Sequence, residues 1–178
     1  MKSDDFSSTN EREVMEFYGL SGTFGRFVFK MKMLNSWIKH KLAYGSPRPN
    51  FVVSMQRSRG VKIGQNCHFS PYVLIDLVYP SLVSIGDNVT IGSNVMIFAH
   101  SNPTANLKLK NTQYPRKVLA VKIDDGAVIN PGSIITAGIS IGKNSLVSVG
   151  SVVVEDVPDN CVVVGNPARV VKKIENEN

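Results

Sequence analysis

The sequence predicts a mainly β fold, a parallel β-helix of hexapeptide repeats that follows an N-terminal α-helical segment. Two observations predict the repeats: aliphatic residues recur at every sixth position, a period that is neither helical nor the alternation of an ordinary strand, and Gly and Asn recur between them. A third observation, spacings of three and four between apolar residues upstream, predicts the helix. The leading aliphatic residues of the last repeats are Ile123, Ile129, Ile135, Ile141, Val147 and Val153.

A hexapeptide repeat has a simple physical form. A short strand takes up most of each hexamer, and three hexamers close one triangular coil of about 18 residues, so that coils stack at roughly 4.8 Å. The leading aliphatic residue points inward, and Gly, Asn or Asp at the turns tolerates left-handed backbone conformations. Each coil buries its face only against its neighbours, so several coils are needed.

Composition narrows the function classes. The 178 residues, 43% of them hydrophobic, predict one domain with a short appendage, and the net charge of +6 fits a phosphate-bearing cofactor as well as a membrane or nucleic acid. The absence of an aromatic-plus-basic pattern disfavours nucleic acid. Cys67 and Cys161 lack metal-ligand spacing, and residues 1–20 do not form a secretory signal, so we expect a cytoplasmic protein.

Residues 1–50 are predicted to be a tail, a helix and a linker. The polar residues 1–12 are expected to be frayed. A helical pattern fits from Glu13 to Ala43, with glycines weakening its first half so that the regular helix starts near Thr23, and residues 45–50 break it. The favoured interpretation of its apolar stripe is a helix that covers the open first coil. The alternative, which we do not favour, is peripheral membrane contact through a basic amphipathic helix.

The β-helix domain is predicted over residues 51–178. Its repeats begin at Val61 and are interrupted twice, by a small bulge at 77–80 and by a protruding loop at about 101–119. Long loops inside compact domains are usually functional or disordered. The chain ends in a turn, a strand and a basic tail.

Taken together, these motifs resemble the hexapeptide-repeat acyltransferases, which include galactoside, maltose and serine acetyltransferases and polysaccharide-modifying acetyltransferases. The resemblance rests on the repeats, on IGDNVTIGSNVMIFAH with the loop that follows it, and on the closing VGSVVVEDVP and VVVGNPARVVKKI. It implies a left-handed coil, a homotrimer with active sites between subunits, and acetyl-CoA as acyl donor.

His100 is the candidate catalytic residue. Acyl transfer to a hydroxyl needs a base, and the unperturbed pKa of histidine lies near working pH. His100 ends the second coil, precedes the long loop and matches the catalytic histidine of the family. We expect His40 to be a solvent-facing helix residue and His68 to lie in a surface turn.

Repeat arithmetic places Asp76 near His100. Ile75 and Ile97 both lead the third side of their coils and should stack, so Asp76 should lie one coil below Phe98. Asp76, with Tyr79 in the same corner, is predicted to orient His100 or to bind the acceptor, although aspartate in a turn often only forms the turn.

The resemblance also implies positions that hold acetyl-CoA. Arg169 and Lys172 are expected to meet its phosphates, unless they are only a solvated tail. Four further positions correspond to the family's cofactor contacts: Pro131, Val149, Val154 and Glu155. Pro131 has no N–H to donate, and Glu155, where relatives carry Lys, should repel phosphate.

The sequence therefore predicts an acetyl-CoA-dependent O-acetyltransferase that acts on a sugar or polysaccharide-precursor hydroxyl by direct transfer, with a small-molecule sugar or glycan as acceptor. An N-acetyltransferase acting on an amine and a non-catalytic β-helix scaffold remain alternatives. A zinc enzyme is poorly supported because the three His residues are widely separated, so we expect no metal.

Overall fold

Three parallel sheets wrapped into a triangular prism form the body of the protein in the computed structural model, which describes residues 5–175. Three helices precede the prism: α1 (Phe6–Phe17), α2 (Gly22–Tyr44) and α3 (Pro49–Ser58). The first two coils contain β1 (Lys62–Ile63), β2 (His68–Phe69), β3 (Leu74–Ile75), β4 (Val83–Ile85), β5 (Thr90–Ile91) and β6 (Met96–Ile97). A 3-10 turn, Pro80–Leu82, lies before β4.

The second interruption contains β7 (His100–Ser101), α4 (Leu107–Lys110) and β8 (Lys117–Val118). Two further coils follow, with β9 (Val121–Ile123), β10 (Val128–Ile129), β11 (Ile134–Ile135), β12 (Ser140–Ile141), β13 (Leu146–Val147) and β14 (Val152–Val153). The chain closes with β15 (Cys161–Gly165) and β16 (Ala168–Lys173), which pair as an antiparallel hairpin, so the expected basic tail is largely a strand.

The strand register confirms the stacking that the six-residue period predicts. The first sheet has the order β1-β4-β9-β12, the second β16-β15-β13-β10-β5-β2 and the third β14-β11-β6-β3. In the third sheet Ile75 pairs with Ile97, which pairs with Ile135. The leading aliphatic side chains are buried inside the prism, where they form one continuous core.

Glycine and asparagine have different roles in the turns that contain both, which the prediction did not distinguish. Asn residues adopt the left-handed conformation, for example Asn88 at φ 59° and Asn94 at φ 58°. Gly86 does not need positive φ. It is required because a Cβ there would overlap Asp125 of the next coil. In the turns that pair Gly with Asn, glycine therefore permits close approach of the coils and asparagine supplies the left-handed conformation. In later turns Gly126 and Gly132 adopt the left-handed conformation themselves, at φ 71° and 72°.

The N-terminal segment differs from the prediction in two places. Residues 6–12, expected to be frayed, lie in α1, while residues 1–4 of that tail fall outside the described residues. Residues 49 and 50, expected in a linker, begin α3, for which Pro49 provides a favourable first-turn residue. The division of the chain at residue 50 stays a prediction.

The first coil is covered by α3 rather than by the apolar stripe of α2. Val52, Val53 and Gln56 of α3 are buried against β1 and β2. α2 packs on α3 with its opposite face, and the stripe that was expected to cover the coil is exposed to solvent. No helix within residues 5–175 combines the length and apolarity needed to cross a bilayer.

Candidate active site

Two consecutive coils place Asp76 and His100 at the same edge of the prism. Asp76 follows β3 and His100 follows β6, and both strands belong to the third sheet, where Ile75 pairs with Ile97. The backbone N–H of Asp76 donates to the carbonyl of Ile97 over 2.9 Å. His100 Nδ1 lies 2.6 Å from Asp76 Oδ2, the contact that repeat arithmetic predicts.

The Asp76 carboxylate is buried and saturated with donors. Oδ1 accepts from the backbone N–H groups of Val78 and Tyr79, each at 2.9 Å, and Oδ2 accepts from Ala99 N–H at 2.8 Å as well as from His100. Burial opposes ionisation, but the hydrogen bonds from His100, Tyr79 and Val78 outweigh it, so the pKa of Asp76 lies below its ordinary value. The aspartate is therefore a fixed anion.

The His100 ring is held in one orientation and is partly open to solvent. Because Asp76 is an anion that can only accept, Nδ1 carries the hydrogen in their bond, which leaves Nε2 as the basic nitrogen. The Tyr79 ring packs edge-on against the imidazole with centroids 5.2 Å apart, and 22% of the His100 side chain is exposed. An oriented imidazole with a free lone pair can act as a general base.

Arg59 supports this corner, and sequence reasoning missed it. Its buried guanidinium donates to the carbonyl oxygens of Ile75, at 3.2 Å, and Asp76, at 2.8 Å. It also donates to Gln56 Oε1 and Ser36 Oγ, so it ties α2 and α3 to the chain segment that carries the carboxylate. Burial lowers the pKa of Arg59 to about 10, although the charges of Asp76 and Tyr18 act in the opposite direction.

The long loop is anchored to α1 by ion pairs. Lys110, only 3% exposed, has its Nζ 2.6 Å from Glu13 Oε2, and Arg116 lies 3.4 Å from the same oxygen. Arg116 also donates to Asn10, and Asn102 donates to Asn10 over 3.1 Å. Lys110 and Arg116 of the loop are thus paired with α1. The signal that sequence reasoning overlooked is the Glu13 carboxylate, directly after the segment expected to be frayed.

A cleft of about 630 Å³ opens where α1, the bulge at 77–80 and the long loop meet. Tyr79 lines it and contacts His100, and Val118, which pairs with His100 across β7 and β8, lines it too. Glu13, Lys110 and Arg116 add charge to its wall. The cleft therefore combines an aromatic ring with charged hydrogen-bonding groups beside the imidazole.

The residues expected to hold acetyl-CoA lie at two different edges of one chain. Val154 and Glu155 follow β14, on the edge that carries His100, whereas Pro131 and Val149 lie between the second and third sheets. Val149 is 71% exposed and lies one coil from Pro131, whose carbonyl accepts from Gly150. One chain therefore does not bring the two pairs together.

Arg169 and Lys172 lie on β16, at the end of the second sheet. Arg169 lies 3.3 Å from Glu155 Oε1, so these two side chains form an ion pair. Glu155 was expected only to repel phosphate. In the structure it also neutralises the charge of Arg169. Lys172 is exposed on the hairpin.

The other two histidines lie apart from this site. His40 is buried on α2, contrary to the expected solvent-facing position, and burial lowers its pKa to about 4, with Arg59 and Lys41 acting in the same direction. His68 lies exposed in β2 rather than in a turn. Within residues 5–175, no three His, Cys, Asp or Glu side chains cluster as metal ligands would.

Known proteins are similar to this chain in architecture and in sequence. The chain is 34% identical over 118 residues to the galactoside O-acetyltransferase of Lactococcus lactis, which covers 64% of this chain and 56% of that protein. A galactoside acetyltransferase in complex with coenzyme A superposes with a TM-score of 0.65 and 25% identity over 83% of each chain. A maltose O-acetyltransferase from Clostridium difficile has a TM-score of 0.61 and 29% identity, covering 84% of this chain and 89% of that one.

These likenesses define the class of protein: a left-handed β-helix built from hexapeptide repeats. The chain belongs to the hexapeptide-repeat acetyltransferase family, with galactoside and maltose O-acetyltransferases among its relatives. No family model matches it, and it spans about half to two thirds of the length of the curated relatives that it matches.

Proposed function

We propose that this protein is an acetyl-CoA-dependent O-acetyltransferase that acetylates a hydroxyl group of a sugar or polysaccharide precursor. The observation that carries the proposal is the pair of His100 and Asp76, in which a buried carboxylate fixes a partly exposed imidazole. The names of its relatives, galactoside and maltose O-acetyltransferases, support a sugar acceptor.

His100 is the general base in this proposal. Its Nε2 removes the proton of the acceptor hydroxyl as the oxygen attacks the acetyl carbonyl, and the resulting imidazolium then protonates the departing thiolate. Asp76 holds the tautomer and stabilises the imidazolium without becoming protonated. Transfer is direct, because no Ser or Cys has the hydrogen-bonded base that would activate it as a nucleophile in the described part of the chain.

The cleft beside His100 is the proposed acceptor site. Tyr79 offers an aromatic face for the apolar side of a sugar ring, and Glu13, Lys110 and Arg116 offer hydrogen bonds to hydroxyl or acidic groups. Because Glu13 and Glu16 together balance Lys110 and Arg116 in the wall of the cleft, the site suits a largely neutral acceptor.

Acetyl-CoA supplies the acetyl group as an activated thioester. The exposed apolar side chains of Val149 and Val154 fit a pantetheine chain that runs along the β-helix, and Arg169 with Lys172 fits its phosphates. Pro131 lies on the edge of Val149, away from the edge of His100. A homotrimer in which the two edges meet would assemble the site from neighbouring subunits, and we propose this assembly. The free thiols of Cys67 and Cys161 are consistent with a cytoplasmic location.

Acetyl transfer can be tested directly with purified protein. The assay measures release of the CoA thiol from acetyl-CoA in the presence of galactosides, maltose, amino sugars and lipid-linked glycans, followed by mass spectrometry of the products. We expect an O-acetylated sugar. Products acetylated only at nitrogen would show that the acceptor group is an amine and not a hydroxyl. If no acceptor led to release of the thiol, the result would favour a non-catalytic scaffold.

A further inference from the structure

α2 presents two opposite faces. One face is buried against the rest of the protein and includes Gly25, Ser36, His40 and Ala43. The other carries large apolar side chains that are exposed, with Phe24 at 78% and Phe27 at 62% exposure. At about 100° of rotation per residue, these two faces point in roughly opposite directions. We define the α2 stripe as Phe24, Phe27, Met31, Leu34, Trp37, Ile38 and Leu42.

Cations border the α2 stripe on both sides. The helical rotation places Lys32 and Lys39 along one side, and Lys30 and Lys41 on the other side, between Trp37 and the remaining apolar residues. Arg26 is ion-paired with Glu11 of α1 over 2.8 Å, so its charge is largely balanced. The sequence has no acidic residue between Gly22 and Tyr44. The exposed face of α2 is therefore apolar at its centre and positively charged at its edges.

We propose that the α2 stripe docks on the surface of an anionic lipid bilayer. Helices that lie in the plane of the membrane interface combine a large apolar face with a Lys- and Arg-rich polar face. Trp favours the headgroup level, and Lys and Arg side chains near an anionic surface are attracted to it. From Phe24 to Leu42 the helix is about 27 Å long. Six of the seven apolar residues fall within about 80° of helix rotation, and Trp37 lies about 60° beyond them on the same exposed side.

Charge favours a bilayer over a second copy of this chain. A two-fold contact through the stripe would place the same cation-bordered edges opposite each other, and like charges brought together disfavour association. Lys32 and Lys39 are held close to the protein, over the Tyr18 ring at 4.0 Å and to the Ser58 carbonyl at 2.9 Å. Both are therefore directed towards the protein, which leaves Lys30 and Lys41 as the cations best placed to meet lipid headgroups.

The test measures the fraction of protein that sediments with vesicles. Vesicles of phosphatidylcholine alone are compared with vesicles that also contain 30% phosphatidylserine. We expect the protein to sediment with the anionic vesicles and to be released by salt, because the cations contribute to binding. Phe24→Glu with Phe27→Glu should weaken vesicle binding at least tenfold. Lys30→Gln with Lys41→Gln should weaken binding to anionic vesicles by a similar factor.

The matched control is Val170→Glu with Val171→Glu, which adds the same two charges to exposed apolar positions of β16. Circular dichroism checks folding, and light scattering measures the oligomeric state of each variant. Loss of binding in the α2 variants but not in the control supports the proposal. Equal binding by all variants, or no binding to anionic vesicles by the unchanged protein, overturns it. A smaller oligomer for the Phe variants without any vesicle binding would assign the stripe to a subunit interface instead.

Discussion

His100 Nδ1 and Asp76 Oδ2 lie 2.6 Å apart although the two residues belong to different coils, separated by 24 positions in the chain. The contact joins a carboxylate without solvent exposure to an imidazole that is 22% exposed. Because the backbone donors of Val78, Tyr79 and Ala99 also hold the carboxylate, it can neither rotate nor readily take up a proton. This relationship sets the basic nitrogen and the direction in which it points.

Asp76→Asn should lower turnover by roughly 10²–10⁴-fold. An amide nitrogen at the Oδ2 position would face the donors of Ala99 and His100, so the imidazole would lose its fixed tautomer. Steady-state rates of CoA release measure this effect. The exposed Asp125→Asn is the control, and equal activities of the two variants would show that Asp76 only forms the turn.

Glu13→Gln should raise the KM for the acceptor, by about tenfold, more than it lowers kcat. The change leaves Lys110 and Arg116 without their shared anion, and an uncompensated buried cation destabilises the closed loop. Acceptor titrations and limited proteolysis of residues 101–119 provide the two measurements. Lys122→Gln, which removes an exposed ion pair with Asp124, is the control. An unchanged KM and unchanged cleavage would place the acceptor elsewhere.

Arg169→Ala and Glu155→Gln should change the KM for acetyl-CoA in opposite directions. Losing a charge-assisted hydrogen bond to phosphate costs about 1.5 kcal/mol, roughly tenfold in KM. Removing the Glu155 charge frees Arg169 from its ion pair and should lower the KM. Titrations of acetyl-CoA at saturating acceptor test both variants. An unchanged KM in Arg169→Ala would mean that phosphate does not meet Arg169.

Stability should fall as the pH drops from about 6.5 towards 4, in part because of His40. Burial lowers its pKa from 6.5 to about 4, so in this window the unfolded chain binds a proton that the folded protein does not. Asp76, whose pKa is also lowered, contributes stability that is lost only at more acidic pH, as the pH falls below the ordinary value of 3.8. Urea unfolding at pH 7 and pH 5 measures the difference. His40→Phe should flatten the pH dependence and the exposed His68→Gln should not. Equal slopes would contradict the assignment.

The sequence predicts the coils well because six-residue periodicity reports burial directly, and stacking of Ile75 on Ile97 follows from it. That stacking was enough to bring Asp76 to His100. Arg59 could not be found in this way, because a lone Arg between two elements carries no periodic signal. The prediction that the α2 stripe covers the first coil was wrong for a related reason. Periodicity identifies an apolar face but does not say what covers it.

The most direct test of the account compares His100→Ala with His68→Ala, an exposed histidine in β2, in the release of CoA from acetyl-CoA at saturating acceptor. Both variants should fold, since neither ring belongs to the core of the β-helix. His100→Ala should lower the midpoint of thermal unfolding slightly, because the buried Asp76 carboxylate loses one of its donors. The account predicts that His100→Ala loses 10²–10⁴-fold in turnover, about the effect of removing a general base, and that His68→Ala retains full activity. Turnover by the folded His100→Ala variant equal to that of the unchanged protein would contradict it.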